Sequence, residues 1–291
     1  MLLKLSRSEI RACMMLYKLN RRVAAAELAD ALKVKESFLS RVLKKLFEKD
    51  LITYEKKGTR RYIGYSEKAH SQKLKEIYYS RPDSKIEDWL SGYSIDALAI
   101  ISDGVEYDIL WQETLCSRRR LYSILNMLYS AGIAGKSKSI VSISDPLVLS
   151  FANEYAIAMQ NIILRKTGYD GICQRVRKHV LLQSKNKAGL TETGLTLLSK
   201  NGLEANLINC YYYFNLDEKP RRIDLDEAFV HAVVFSKNHG QDKLLLAGYY
   251  LKNQAKLNIV EMKRYARIFN VERELEDTLK ITGNYERLGR V

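Results

Sequence analysis

Residues 36–61, ESFLSRVLKKLFEKDLITYEKKGTRR, decide how the chain is read. Apolar residues fall at Phe38, Leu39, Val42, Leu43, Leu46 and Phe47, a spacing that predicts a helix with one buried face. The opposite face then carries Ser37, Ser40, Arg41, Lys44, Lys45 and Lys49. Two β-like runs follow, ITYEKK and RRYIGYS, joined at Gly58-Thr59. Lys56, Lys57, Arg60 and Arg61 surround that turn. A helix with a cationic outer face beside a basic hairpin suits a polyanion partner.

Working outward, residues 6–19 predict a first helix with Ser6 or Ser8 as N-cap, and residues 24–32 a short second one. Lys33-Val34-Lys35 turns the chain into the opening helix, and Asp50 stands where a left-handed residue ends it. After the hairpin, Ser66-Glu67 starts a further helix that runs to the linker SRPDS. The segments ELADAL and SFLSRVLKKLFEKDLI, the hairpin with Gly58, and the tail YSEK resemble the winged helix-turn-helix domains of MarR- and ArsR-type transcriptional regulators. The resemblance covers about 75 residues. Two departures are Lys35, where Ser or Thr commonly caps the recognition helix, and Asp50, where Gly is usual. The resemblance implies a recognition helix in the major groove of double-stranded DNA, with Ser37, Ser40 and Arg41 toward base edges and Lys44 and Lys45 toward phosphates. It makes Lys56, Lys57, Arg60 and Arg61 a wing on the sugar-phosphate backbone.

The pattern then repeats. A shift of 82 residues places Leu28 on Leu110, Leu39 on Leu121, Val42 on Ile124, Leu43 on Leu125 and Leu46 on Leu128, with Asp50 on Gly132 and Leu51 on Ile133. The expected second copy has helices over Ile86–Ile101, Tyr107–Leu115 and Arg118–Ala131, the last capped by Ser117, and the short hairpin IAGKSKSIVSIS. Arg118, Arg119 and Arg120 cluster at its third helix, while Lys136 and Lys138 are its only hairpin cations. This copy either makes a secondary DNA contact through the arginines or packs against another domain.

Charge is distributed unevenly over the 291 residues and their net +14. Residues 1–82 hold 20 Lys and Arg against 9 Asp and Glu, residues 83–150 hold 6 against 9, and residues 151–291 hold 22 against 16. The basic balance of the first segment is the composition signal for nucleic acid. Cys13, Cys116, Cys173 and Cys210 form no CxxC pair, which fits reduced thiols in a cytoplasmic protein. The N-terminus lacks a signal-peptide apolar run, and the low-charge run Leu147–Leu164 is broken by Ser150, Asn153, Glu154, Gln160 and Asn161, so no membrane span is expected. Pro82, Pro146 and Pro220 lie at joints. The expected fold is α+β: winged helix-turn-helix domains at 1–82 and 83–145, then a C-terminal α/β domain at 146–291 with a helical tail.

In the C-terminal segment Asp145-Pro146 opens a long apolar helix, either domain core or the seam of a homodimer. HVLLQS and ANLINCYYYF read as strands, and the pairs Asp224/Glu227 and Asn258/Glu261 have capping-box spacing. Asp170, Gln183 and Lys185 resemble the D…(E/Q)xK pattern of Mrr-type, restriction-endonuclease-like nucleases, which would use the Asp and Gln oxygens for a divalent metal and the Lys for transition-state charge. The final helices resemble the tail of abortive-infection-type antitoxins. Ile223-Asp224-Leu225-Asp226 has no Gly-Ser partner motif, and His70, His179, His231 and His239 show no paired ligand spacing. No cofactor or metal is expected. The leading expectation is a sequence-specific DNA-binding transcriptional regulator, and the alternative is a DNA-processing nuclease with winged-helix targeting domains.

Overall fold

A computed structural model describes residues 3–58, 60–168, 171–185, 189–217, 221–237 and 240–288, the side chains at 57, 60, 241 and 283–288 excepted. The fold is α+β and divides into two compact units, residues 1–163 and 164–291.

The first unit opens with α1 (Arg7–Leu19), whose N-terminus is closed by a capping box. Ser6 Oγ accepts from the Glu9 amide, and the Glu9 carboxylate accepts from the Ser6 amide. Then come β1 (Val23–Ala24), α2 (Ala25–Leu32), α3 (Glu36–Glu48), β2 (Ile52–Lys57), β3 (Arg60–Tyr65) and α4 (Ala69–Ser80). The strands form an antiparallel sheet in the order β1-β3-β2. Helix α4 begins at Ala69 rather than at Ser66-Glu67, because Ser66 Oγ accepts from the Lys68 amide and holds a turn first.

Helix α3 buries Leu39, Val42, Leu43 and Leu46, an i, i+3, i+4, i+7 stripe. Phe38 and Phe47, expected on the buried face, are 39% and 50% exposed. At 100° per residue they flank the stripe on opposite sides, so neither shares its centre. Lys49, expected outside, is instead buried just past the helix end. Its ammonium donates to the Lys4 carbonyl at 2.6 Å and pairs with the Glu9 carboxylate, fastening the end of α3 to α1. The Lys49 carbonyl meets His70 Nε2 at 2.9 Å, so α4 joins the same knot. Asp50 follows in the left-handed conformation, and the Leu51 amide bonds back to the Leu46 carbonyl.

The rest of this unit comprises α5 (Ile86–Leu90), α6 (Tyr93–Ile101), β4 (Val105–Glu106), α7 (Tyr107–Thr114), α8 (Arg118–Ser130), β5 (Ala134–Ser137), β6 (Ile140–Ile143) and α9 (Pro146–Thr167), the last ending beyond it. The helix expected over Ile86–Ile101 is broken, because Gly92 takes a backbone conformation (φ 65°, ψ −125°) that no helix contains and that side chains disfavour. Otherwise the 82-residue register is kept. Helices α7 and α8 are α2 and α3 shifted by 82, and the second sheet has the corresponding order β4-β6-β5. Asp50 and Gly132 are both left-handed, and the Ile133-to-Leu128 amide bond repeats the one from Leu51 to Leu46. Every residue that the shift aligns on the apolar stripe is buried in both copies. The second hairpin is the shorter, pairing from Ala134↔Ile143 to Ser137↔Ile140 where the first runs from Ile52↔Tyr65 to Lys57↔Arg60.

Helix α9 is long and apolar enough to cross a membrane by length and composition alone. Eight of its side chains, Phe151, Tyr155 and Met159 among them, are nevertheless buried within the fold. Tyr155 meets His70 at 6.0 Å between ring centroids and stacks on Phe151. These contacts assign the apolar stripe of α9 to a protein core.

The second unit builds a four-stranded antiparallel sheet from β7 (Gly171–Val176), β8 (His179–Ser184), β9 (Thr191–Glu192) and β10 (Cys210–Asn215), in the order β7-β8-β10-β9. Between β9 and β10 lies α10 (Gly194–Ser199). Gly171 is required where it stands, because a Cβ there would lie 2.1 Å from the Gln183 carbonyl oxygen. Helices α11 (Leu225–Ser236), α12 (Gly240–Asn253), α13 (Ile259–Phe269) and α14 (Glu272–Leu288) follow. Asp224 and Asn258 cap α11 and α13 as expected, and the buried α11 touches α10, α12, α13 and α14.

Removing one member of a buried ion pair strands the other charge, so Lys49→Ala should lower the unfolding free energy by about 3–5 kcal/mol. Denaturant titration checks this. A loss under about 1 kcal/mol would mean that the Glu9 carboxylate finds water when Lys49 is gone.

Candidate functional site

Burial of the Leu39–Leu46 stripe dictates what α3 shows to solvent. Ser37, Arg41, Lys44 and Glu48 lie opposite the stripe, Ser40 and Phe47 on one flank, and Phe38 and Lys45 on the other. Ser37, Ser40, Arg41, Lys44 and Lys45 are all exposed, as the sequence predicts. Among the described residues Arg41, Lys44 and Lys45 enter no ion pair. On the Phe38 flank a hollow of about 520 Å³ opens between α3 and the start of α1, lined by Ser6, Ser8, Phe38, Arg41, Val42, Lys44, Lys45 and Glu48.

The other flank carries the hairpin. Phe47 and Tyr54 rings meet at 5.0 Å, and the Arg61 guanidinium lies 5.8 Å from the Tyr54 ring centre. This aromatic bridge holds β2 and β3 beside α3. Apolar periodicity places Phe47 with the core, and no local sequence signal marks the bridge. Lys56 stands opposite Arg61 and Lys57 opposite Arg60. The side chains of Lys57 and Arg60 lie outside the described residues, whereas those of Lys56 and Arg61 are exposed. Like charges directly across an antiparallel pair are destabilising, so the cationic register of this hairpin does not favour its own pairing. Nearer the base of the hairpin, Glu55 is paired with Arg22.

In the second copy Ser117 caps α8 by accepting from the Arg120 amide. Arg118, Arg119 and Arg120 are exposed, with the Arg118 guanidinium 4.2 Å above the Trp111 ring. Lys136 and Lys138 are exposed on the hairpin.

The three residues singled out for metal chemistry fare differently. Asp170 lies outside the described residues. Gln183 sits in β8 between Ile172 and Tyr211, and its amide donates to the Tyr211 hydroxyl at 3.2 Å. Lys185 is exposed just past the strand. Among the described residues no group of three or more His, Cys, Asp or Glu side chains could hold a metal ion.

The second unit contains a buried polar cluster that sequence spacing did not reveal. His179 Nδ1 meets the Tyr213 hydroxyl at 2.8 Å, and Tyr213 stacks on His231 at 5.3 Å. His231 Nδ1 is bonded to Thr193 Oγ1 at 2.6 Å, and its Nε2 lies 3.5 Å from the Glu227 carboxylate. Glu227 is also paired with Arg221, so its side chain does not close the capping box with Asp224. Strands β8 and β10, helix α11 and two connections contribute these groups from positions up to 52 residues apart in the chain, His179 to His231. Thr193 and His231 are fully closed to solvent, which suits a structural network rather than chemistry on an external substrate. His239 lies outside the described residues.

Comparison with protein-family models, with curated proteins and with solved structures finds nothing that matches this chain.

Burial, aided by nearby His179 and Arg221, holds the His231 imidazole neutral well below its ordinary value of 6.5. The unfolded chain therefore binds more protons below pH 6.5, and this contribution to stability is present above that pH and lost as pH falls. Burial raises Glu227, whose contribution runs in the opposite sense, lost as pH rises through its raised value. Thermal melting should show a midpoint that falls on acidification below 6.5, with a shallower dependence in His231→Phe. Equal slopes in the two proteins would remove His231 from the account.

Proposed function

We propose that the chain is a sequence-specific DNA-binding transcriptional regulator built on tandem winged helix-turn-helix modules. Helix α3 lies in the major groove of double-stranded DNA and the β2–β3 hairpin rides as a wing on the adjacent backbone. The observation that carries this reading is the joint presentation of cations by two elements tied through Phe47 and Tyr54. Arg41, Lys44 and Lys45 project from α3, and Lys56 and Arg61 from the hairpin beside it. An α-helix of ordinary diameter fits the major groove, and a flanking two-stranded ribbon reaches the phosphates beside it. The 82-residue structural repeat supports the tandem reading, and the exposed Arg118, Arg119 and Arg120 supply the second module's contact. The reading places the protein in the cytoplasm, and a palindromic operator would engage it as a homodimer.

Salt dependence tests it. Each phosphate neutralised contributes about −0.9 to the slope of log affinity against log salt. Lys44→Ala combined with Arg61→Ala should flatten the slope by about two, measured by fluorescence anisotropy on a duplex library. Failure of the native protein to bind any duplex at about 50 mM salt would overturn the function. An unchanged slope in the double variant would remove these two contacts.

A further inference from the structure

The repeat allows the two outward helix faces to be compared position by position. Shifting by 82 replaces Ser37, Arg41 and Lys44 of α3 by Arg119, Ser123 and Asn126 of α8. These three are spaced i, i+4, i+7 on one stripe, opposite the buried Leu121, Ile124, Leu125 and Leu128. All three are exposed, and none makes a side-chain hydrogen bond or ion pair among the described residues. Helix α8 has no lysine.

The two faces differ in chemistry as well as charge. Lysine is a point charge suited to phosphate, and α3 with its hairpin is rich in lysine. Arginine offers two parallel donors that match O6 and N7 of guanine, while asparagine offers a donor and an acceptor that match N7 and N6 of adenine. From Arg119 to Asn126 the helix rises about 10 Å, roughly three base-pair steps. Arg118 is held over Trp111, and Arg120 lies on the flank of α8, so Arg119 is the arginine that leads this stripe. The second module's acidic balance, 6 basic against 9 acidic residues over 83–150, gives it little phosphate affinity of its own.

We infer that the modules divide the work: α3 and its hairpin supply affinity, and α8 supplies base discrimination through Arg119 on guanine and Asn126 on adenine. The inference rests on the DNA-binding reading above and names the residues that set its specificity.

Selection from a random duplex library, followed by anisotropy on the selected and scrambled duplexes, tests it. Arg119→Ala and Asn126→Ala should each lower the selected-over-scrambled preference by about 10- to 100-fold, and Asn126→Ala, which removes no charge, should do so with the salt slope unchanged. Lys44→Ala with Arg61→Ala should do the reverse, lowering affinity for both duplexes alike. Both α8 side chains are exposed, so melting temperatures matching the native protein will confirm folded variants. If the native protein binds duplex and both α8 variants keep its preference, the division of labour is wrong and the DNA-binding reading stands. Native binding without any sequence preference also overturns it. If no duplex binds, both readings fall together.

Discussion

The first unit depends on one packing constraint, met twice. Leu39, Val42, Leu43 and Leu46 must be buried, and so must Leu121, Ile124, Leu125 and Leu128. Burying four large aliphatic side chains contributes about 6–12 kcal/mol in each helix before ordering costs. No rotation of α3 or α8 keeps that contribution and also hides the opposite stripe. A left-handed residue, Asp50 or Gly132, then ends each helix and turns the chain into its hairpin. Helix face and hairpin are thereby set together, and the same arrangement recurs with different surface residues.

Surface chemistry varies on that common frame. In the first copy, cations crowd the helix and face one another across the hairpin, an arrangement that costs stability when no anion is present. In the second copy the hairpin is shorter, and arginine, serine and asparagine replace the corresponding serine, arginine and lysine. The buried Lys49 works differently from its neighbours. Its charge is satisfied inside by Glu9 and the Lys4 carbonyl, so it fastens α3 rather than adding to the outer face.

The second unit is organised around polar groups in its interior. His179, Tyr213, His231, Thr193, Glu227 and Arg221 come from strands, a helix and the connections between them. Such a network specifies one packing because each member leaves a buried group unsatisfied if it shifts. Within it His231 is held neutral by burial, so its protonation opposes the fold, whereas the raised Glu227 acts in the opposite sense.

Local periodicity is enough to set most helices and both hairpins of the first unit, to narrow the first N-cap to Ser6 or Ser8, to mark the caps Ser117, Asp224 and Asn258, and to show the 82-residue repeat. These depend on residues within a turn or two of one another, or on the same pattern read again. The exposed positions of Ser37, Ser40, Arg41, Lys44 and Lys45 follow from the stripe, which they oppose or flank. Phe38 and Phe47 were misplaced because a sequence pattern cannot tell the centre of an apolar face from its edges. Lys49 was misplaced because its partners, Lys4 and Glu9, are at least 40 residues away in the chain. The break at Gly92 and the histidine cluster escaped for related reasons. Gly92 is compatible with a helix as well as with the positive φ it takes, and His179 and His231 become neighbours only in the folded unit, where both pack on Tyr213 and Phe269. Sequence alone determined the elements and the outward stripe, whose causes are local. Tertiary structure decided which charges are neutralised inside and which remain outside, because that depends on contacts between residues far apart in the chain.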